Sequence, residues 1–329
     1  MAFSACLVEE LRALAGVRLW TDAPLAPFTS IGTGGKAGLL VTVADTPALV
    51  GTLKALEAHE APWVCLGAGS NFLVADQGYP GVVVKLEESF QYVEGIPAGP
   101  AAGSKRVLVT AGAGASLARL AAVAAEAGLS GLECACGIPG SVGGGIAMNA
   151  GAYGWCLADA VVEVEIAKAS GAEWIPAADL EWGYRFCRLP RGVVITAVRF
   201  ALSPADPASI LELHRAILHK RRTVQPQGVR TFGSAFKNPC GGAAGRLIEA
   251  AGLKGVRRGG AEVSRVHANF LVNLGDATTT DVLALMDLMR EGVHRTTGVL
   301  LVPEVRLVGS CFPWESLVAE PQGLPDADG

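Results

Sequence analysis

The stretch GIPGSVGGGIAMNAGAYG, residues 137–154, holds seven glycines in eighteen positions. Glycine inside a regular element costs about 0.5 to 1 kcal/mol relative to alanine, so stability alone does not favour this density. Close approach of the backbone to a large ligand does favour it, because N–H groups then point at the ligand with no Cβ in the way. A set of tight turns between strands is the alternative that this stretch alone leaves open.

Three further glycine-rich segments are candidates for nucleotide-binding loops. They are GTGGKA at 32–37, GAGSNF at 67–72 and GAGASL at 112–117. A Rossmann loop needs a preceding strand, three spaced glycines and a following helix. The first segment lacks the strand, the second lacks the helix, and the third lacks the last glycine. The chain also contains no Walker A pattern, so dinucleotide and P-loop sites of these types are disfavoured.

Valine-rich runs bounded by glycine or proline predict six strands in the first two hundred residues. They lie at 38–44, 63–66, 81–86, 107–111, 160–167 and 193–202. Helices are predicted at 46–59 and 116–127, the second with Ser116 as N-cap and Gly128 as left-handed terminator. Strands and helices are mixed, so the fold class is α+β or α/β.

A polar, proline-bearing break, SPADP at 203–207, predicts a domain boundary. Helices at 208–222, 243–251 and 280–296 follow, together with a strand at 269–274. The last helix carries Val282, Leu285, Met286, Met289 and Val293 on one face, which is typical of core packing. The run at 299–308 contains Pro303 and is predicted to be an edge or bulged strand. Residues 310–329 are predicted to form a flexible tail.

Composition excludes several classes of protein. Half of the 329 residues are hydrophobic, only 18% are charged, and the formal net charge is −4, which disfavours disorder and a nucleic-acid surface. No apolar run is long enough to span a membrane, and the N-terminus lacks a basic region, so we expect a cytoplasmic protein. The eight cysteines are too sparse for a disulfide scaffold, and C-x-C at Cys134 and Cys136 is not zinc spacing, so no metal site is expected.

Eight motifs together resemble the UDP-N-acetylenolpyruvoylglucosamine reductase family, in order and in spacing. They are PLAPFTSIGTGGKA, LGAGSNFLVADQGYPGVVV, AGAGASLARLAAVAAEAGLSGLE, GIPGSVGGGIAMNAGAYG, GYR, GSAFKNP, HANFLVN and PEVRLVG. The resemblance covers about residues 20–309 and implies an α+β fold. It implies an N-terminal extension at 1–20, a two-lobed FAD-binding domain of the vanillyl-alcohol-oxidase type at 21–202 and a C-terminal substrate-binding domain at 203–309.

The resemblance also implies which residues hold FAD without a covalent bond. Gly67, Ala68, Gly69, Ser70 and Asn71 would face the pyrophosphate. Gly137, Ile138, Pro139, Gly140, Ser141 and Gly143 would line the pyrophosphate and isoalloxazine, and Gly112 would also contact the cofactor. Backbone N–H donors near the flavin N1 edge stabilise the negative charge of the reduced ring. For Asn71 and Asn149, a role as turn residues is equally open.

The activity that the resemblance implies is reduction of an enolpyruvyl ether, with NADPH reducing FAD first. Hydride arrives at C3 and a proton at C2, so the site needs an acid and a stabiliser of enolate-like charge. The matched positions are Ser234 as proton donor, with Arg185 and Glu304 beside the substrate carboxylate. A carboxylate between Pro303 and Val305 in an apolar run is awkward without a partner.

The substrate implied is a nucleotide sugar, held by Tyr184, Arg222, Lys237, Asn238 and Asn269. Arginine forks suit phosphate oxygens. Only residues 186–192 separate Arg185 from the next strand, so the chain resembles the group that lacks a tyrosine-bearing loop at this point. Cys187 and Phe232 depart from the residues common in the family, and both could alter the pocket.

Two other functions stay open on the sequence. One is an FAD-linked alcohol or sugar oxidase of the same fold, which would differ by rapid reaction of the reduced flavin with oxygen. The other is a non-catalytic flavin or nucleotide-sugar binding protein, against which the set Arg185, Ser234 and Glu304 argues. We expect a monomer that binds neither membranes nor nucleic acid.

Overall fold

The computed structural model describes residues 3–97 and 106–309, so the tail predicted at 310–329 lies outside the described residues. Within these ranges the chain mixes helices with mostly antiparallel sheets, as expected of an α+β fold. Its buried apolar side chains form separate clusters that correspond to a first lobe, a second lobe and a third region.

The first lobe is a four-stranded sheet covered by two helices. Its elements are α1 (Ala5–Ala13), β1 (Val17–Pro24), β2 (Lys36–Val43), α2 (Thr46–Ala58), β3 (Trp63–Cys65), β4 (Phe72–Val74) and β5 (Tyr79–Leu86). The strand order is β1-β2-β5-β3, with β1 antiparallel to β2 and the other neighbours parallel. Leu7 and Leu11 of α1 are buried in its core. The segment predicted as an N-terminal extension therefore contributes a helix and a strand to this lobe.

The second lobe is built on an antiparallel sheet in the order β12-β11-β15-β7-β6, with β8 also paired to β15. Its elements are β6 (Val93–Glu94), β7 (Val107–Gly112), α3 (Leu117–Glu126), β8 (Leu129–Ser130), α4 (Val142–Ala147), β9 (Gly151–Ala152), β10 (Trp155–Cys156), β11 (Val161–Lys168), β12 (Gly171–Pro176), β13 (Glu181–Gly183), β14 (Phe186–Arg188), β15 (Val194–Pro204) and α5 (Pro207–Val224). Ile217 of α5 is buried in the same cluster as the sheet, so this helix packs on the second lobe. The boundary at residue 203 stays a prediction.

The third region packs two helices on a small antiparallel sheet. Its elements are α6 (Ala244–Ala250), β16 (Arg257–Arg258), β17 (Ala261–Val263), β18 (Leu271–Asn273), α7 (Thr279–Thr297) and β19 (Arg306–Val308). The apolar face predicted for α7 is confirmed, because all five of its side chains are fully buried. Of the strand predicted at 299–308, only β19 forms, and it pairs in parallel with β4 of the first lobe.

Side chains at the helix starts explain several boundaries. Ser116 Oγ accepts the N–H of Arg119 at the start of α3, and Gly128 follows the helix at φ +68°, as predicted. Asp76 of the first lobe accepts the N–H groups of Thr279 and Thr280, each at 2.8 Å, at the start of α7. A carboxylate is favourable at this positive end of a helix, so Asp76 ties α7 to the first lobe.

No helix in the two described ranges combines the length and the hydropathy that a bilayer crossing requires. Seven of the eight cysteines lie in those ranges, and none of the seven forms a disulfide there.

Candidate active site

The first glycine loop, residues 67–71, connects β3 to β4. In the described part of the chain, none of the five backbone N–H groups of this loop donates to a protein acceptor. Gly69 has φ +68°, and a Cβ there would overlap the carbonyl oxygen of Phe28. Unpaired backbone donors are costly unless water or a ligand accepts from them. The loop is therefore an anion-binding concavity of the kind that suits a diphosphate.

The second glycine loop, residues 137–149, contains the short helix α4, which the sequence analysis did not predict. Ser141 Oγ caps α4 by accepting the N–H of Gly144 at 3.3 Å. The amides of Gly137, Gly140 and Ser141 find no acceptor among the described residues, whereas that of Ile138 donates to Ala135. This loop thus offers fewer unpaired amides per residue than the first loop.

The two glycine loops contact each other. Ser70 Oγ donates to the carbonyl of Pro139 at 3.1 Å. A Cβ on Gly67 would come within 2.6 Å of Ser141 Oγ, so the absence of a side chain there permits the close approach. The unpaired amides of both loops therefore belong to one site between the two lobes.

Gly112 differs from the residues of the first glycine loop because its backbone N–H is paired within the protein. It is buried at the end of β7, its N–H donates to the carbonyl of Tyr92, and a Cβ would overlap the carbonyl of Phe90. The following segment packs behind the second loop, where Gly143 donates to Ala113 at 2.9 Å. Gly112 and Gly143 thus serve close packing in this structure and present no unpaired amide.

Arg185 stands at the tip of a two-residue hairpin between β13 and β14. Its φ of +64° is left-handed, a conformation that costs a non-glycine residue about 1 kcal/mol or more. Asn149 holds the base of the hairpin, because its Nδ2 donates to the carbonyl of Gly183 at 3.0 Å. Strain of this kind is typical of functional positions that the surrounding structure holds in place.

Glu304 meets Arg185 across the lobes, with Oε1 2.6 Å from the guanidinium Nε. The side chains are only 15% and 22% exposed, so the pair is largely shielded from water. Burial raises the pKa of Glu304, while the charges of Arg185 and Lys237 oppose the rise. The backbone of Glu304 is also held, since its carbonyl accepts from Asn71 Nδ2 at 3.1 Å.

Ser234 is adjacent in sequence to the residue that bonds the backbone of Glu304. Its neighbour Ala235 accepts the N–H of Glu304 at 2.9 Å, and Ser234 itself forms a backbone bridge with Phe270. Asn269 fixes the same segment, with Oδ1 accepting from Phe236 N and Nδ2 donating to Phe236 O. Asn269 is therefore occupied in holding the serine segment, and its predicted contact with substrate stays a prediction.

Tyr184 and Asn238 connect the hairpin to the third region. The N–H of Asn238 donates to the hydroxyl of Tyr184 at 3.4 Å, and the Arg185 guanidinium lies 5.0 Å from the Tyr184 ring centroid. Tyr184 is half exposed, and the Asn238 side chain caps the start of α6 through Ala244 N. Tyr184 thus borders the Arg185–Glu304 pair, and Lys237 lies near enough to Glu304 for its charge to oppose the rise in the pKa of that carboxyl.

Arg222 is exposed near the end of α5, and the structure records no contact between it and the residues above. The preceding residue, Arg221, instead donates from Nη1 to the carbonyl of Gly137 at 3.0 Å. Sequence reasoning missed Arg221 because adjacent arginines differ in facing by about 100° around a helix, and only the register of α5 decides which one meets the loop.

Cys187 and Phe232, the two departures from the family pattern, are both core residues. Each is 2% exposed, Cys187 in the second lobe and Phe232 in the third region. Burial raises the pKa of the Cys187 thiol to about 12, so it stays protonated at neutral pH. Neither side chain reaches solvent, so neither lines an open pocket in this structure.

Comparisons with known proteins find family matches in both the N-terminal and the C-terminal part of the chain. A model of the UDP-N-acetylenolpyruvoylglucosamine reductase C-terminal domain matches residues 225–308, and an FAD binding domain model matches residues 37–174. A UDP-N-acetylenolpyruvoylglucosamine reductase of Anaeromyxobacter sp. (strain Fw109-5) is 50% identical over 288 residues, 88% of each chain. That of Myxococcus xanthus (strain DK1622) is 42% identical over 92% of this chain and 96% of its own.

A solved structure agrees with the sequence relatives. The crystal structure of the UDP-N-acetylenolpyruvylglucosamine reductase from Thermus caldophilus is 37% identical and superimposes with a TM-score of 0.75. The match covers 89% of this chain and 98% of that one.

Proposed function

We propose a catalytic site for this chain from the premise that it belongs to the UDP-N-acetylenolpyruvoylglucosamine reductase family. Accordingly it is an FAD-dependent oxidoreductase that reduces UDP-N-acetylenolpyruvoylglucosamine to UDP-N-acetylmuramate, a step of peptidoglycan precursor synthesis. The observation that carries our assignment is the shielded Arg185–Glu304 contact of 2.6 Å, which joins the second lobe to the third region near Ser234.

Bound FAD would supply the hydride chemistry, with NADPH as the reductant and C3 of the enol ether as the acceptor. We assign its diphosphate to the unpaired amides of the first glycine loop and its ring to the second glycine loop. The fit is supported by the consecutive N–H groups of residues 67–71, which lack protein acceptors in the described ranges.

Arg185 stabilises the negative charge that develops on the substrate carboxylate when C3 is reduced. Glu304 holds the guanidinium in place, and the shielding of this pair from water strengthens the contact between them. Asn149 anchors the backbone of the Arg185 hairpin at Gly183, and Asn71 anchors the backbone of Glu304, so both residues need little reorganisation during the reaction.

Ser234 donates the proton to C2. A serine hydroxyl is a weak acid, so this step depends on nearby cations that stabilise the alkoxide, and Lys237 is the cation three residues along the same segment. Backbone bonds of Ala235 and Phe236 to Glu304 and Asn269 hold this segment in register.

The nucleotide sugar is held, in this proposal, by Tyr184, Arg222, Lys237, Asn238 and Asn269. Arg221 is a further residue that would contact either the nucleotide sugar or FAD, because its guanidinium already bonds the second glycine loop. The short Tyr184–Arg185 hairpin supports assignment to the family group without the tyrosine-bearing loop. We further propose that the protein acts in the cytoplasm as a monomer.

The test of the serine is a stopped-flow comparison of the two half-reactions in Ser234→Ala. We expect NADPH to bleach the flavin at a near-normal rate, and reoxidation by the enol ether to be slower by about 100-fold or more. Ser203→Ala, at an exposed strand end, is the matched control and should change neither half. Equal losses in both half-reactions would show that Ser234 acts in binding or folding instead. Rapid reoxidation by oxygen alone would support an oxidase.

A further inference from the structure

Lys85 of β5 lies beneath the first glycine loop and is not used in the mechanism above. Its Nζ donates to the carbonyl of Gly67 at 3.2 Å and stands 5.4 Å from the centroid of the Phe28 ring. Burial lowers the pKa of this ammonium, which shows that the surroundings stabilise its charge poorly.

Lys85 has no carboxylate within ion-pair distance among residues 3–97 and 106–309. The titratable group that acts on Lys85 is the Cys65 thiol, which the Arg306 guanidinium also approaches. Burial raises the pKa of Cys65 to about 11, so the thiol is neutral at pH 7. Positive charge beneath the first glycine loop is therefore not cancelled by Cys65, and an anion on the outer side of the loop would interact favourably with it.

The Lys85 hydrogen bond also determines how the loop presents its amides. A peptide unit is planar and trans, so its carbonyl and the following N–H point in opposite directions. Lys85 holds the Gly67 carbonyl inward, and the N–H of Ala68 consequently points outward. Ser30 N–H holds the Gly69 carbonyl in the same way at 3.0 Å, which turns the Ser70 amide away from Ser30.

We propose that Lys85 is a positioning residue for the FAD diphosphate. It orients the Gly67–Ala68 peptide so that its N–H faces the phosphate oxygens, and its own charge offsets theirs through the loop. This inference rests on the assignment of the first glycine loop to the diphosphate made under the proposed function.

The test measures FAD binding to deflavinated protein by flavin fluorescence, with Lys85→Met as the variant. We expect the Kd for FAD to rise about tenfold or more, because a hydrogen bond from a charged donor and its long-range attraction are both lost. Lys85→Gln, which can still donate but carries no charge, should show a smaller rise. Lys54→Met, at an exposed position of α2, is the matched control and should bind FAD as the wild type does.

Salt dependence separates an electrostatic role from a structural one. The affinity of the wild type for FAD should fall as ionic strength rises, and this slope should be smaller in Lys85→Met. A Kd within twofold of the Lys54→Met control would overturn the proposal. If Lys85→Met does not fold, Lys85→Gln decides: a Kd within twofold of the control together with an unchanged salt slope would overturn the proposal.

One further variant distinguishes failure of this inference from failure of the loop assignment. Gly69→Ala distorts the loop directly. If Gly69→Ala abolishes FAD binding and Lys85→Met does not weaken it, only the role of Lys85 is wrong. If neither variant affects FAD binding, the diphosphate does not lie on this loop.

Discussion

The two glycine loops look alike in the sequence and differ in what their backbone amides do. In residues 67–71, none of the N–H groups has an acceptor in the described structure. In residues 137–149, Ser141 caps α4, and Val142 and Gly143 donate to the carbonyls of Ala115 and Ala113. The first loop therefore leaves its amides to a ligand, whereas the second uses many of its own for packing.

This difference teaches that glycine density has two separate physical causes. Gly67 lets the first loop approach the Ser141 side chain, and Gly69 lets it approach the Phe28 backbone, while the amides of the loop stay unpaired. Gly143 and Gly145 instead let α4 approach Ala113 and Leu157, at distances where a Cβ would be only 2.9 Å away. Substitutions in the first loop should therefore lower FAD affinity as well as stability, whereas substitutions in the second loop should lower mainly stability.

The largest effect is expected for Gly69→Ala. The added methyl overlaps the Phe28 carbonyl and the residue has φ +68°, so the loop must move. We expect a loss of unfolding free energy of about 3 kcal/mol or more, from overpacking and left-handed strain together. We also expect a loss of FAD affinity of about 100-fold or more. Urea unfolding and flavin fluorescence titration measure the two quantities.

Gly192→Ala is the matched control for Gly69→Ala. Gly192 has φ +69°, but a Cβ there meets nothing within 4 Å. It should lose only about 1 kcal/mol of stability, from backbone strain, and bind FAD normally. The contrast between the loops would fail if both variants bound FAD equally well.

An intermediate effect is expected for Asn149→Gly at the end of the second loop. Glycine tolerates the left-handed φ of +38°, so the change removes only the bonds to Gly183 and Ala158. We expect a loss of about 1 to 3 kcal/mol of stability. We also expect a lower kcat, because the hairpin of Arg185 loses its anchor, while the Kd for FAD changes by less than about threefold.

Asn71→Ala is the counterpart of Asn149→Gly in the first loop. The side-chain Nδ2 of Asn71 donates to the carbonyl of Glu304, and the backbone N–H of Asn71 is one of the unpaired donors of the first loop. This variant should weaken FAD binding as well as lower kcat. If Asn149→Gly lowered FAD affinity as much as Asn71→Ala does, the distinction between a first loop that binds FAD and a second loop that serves packing would be wrong.

The smallest effects are expected within α4. In Gly143→Ala the new methyl lies 2.9 Å from Ala113 Cβ, so we expect a loss of about 1 to 2 kcal/mol. In Gly144→Ala the nearest atom is Ser141 Oγ at 3.2 Å, and helix propensity favours alanine by about 1 kcal/mol. Thermal unfolding of the deflavinated variants compares them. Equal destabilisation would mean that packing against Ala113 is not what requires Gly143.

Much of the fold follows from local pattern. Alternating or continuous apolar runs predicted the longer strands within a few residues, and the Ser116 cap with Gly128 marked both ends of α3. The segments that were missed have weak local signals. The helix α1 is short, and α4 consists largely of glycine, which disfavours helix unless packing and a cap stabilise it.

The residues of the candidate site were predicted from motifs more completely than their partners were. Arg185, Glu304 and Ser234 stand in recognisable motifs, and the structure places the first two 2.6 Å apart. Lys85 and Arg221 stand in segments that are typical of an ordinary strand and helix, and Asn149, although it stands in a recognised motif, is equally typical of a turn. Their contacts with Gly67, Gly137 and Gly183 span 18, 84 and 34 positions of sequence, so no local pattern reveals them.

By itself, the sequence determined the fold class, the family and the residue types of the chemistry, because apolar periodicity, caps and motif spacing are local properties of the chain. Only the tertiary structure decided which amides stay unpaired, which of two adjacent arginines meets a glycine loop, and how a carboxyl in the third region meets a guanidinium in the second lobe. Those outcomes depend on helix register and on contacts between distant segments, and the chain acquires both only when its lobes pack together.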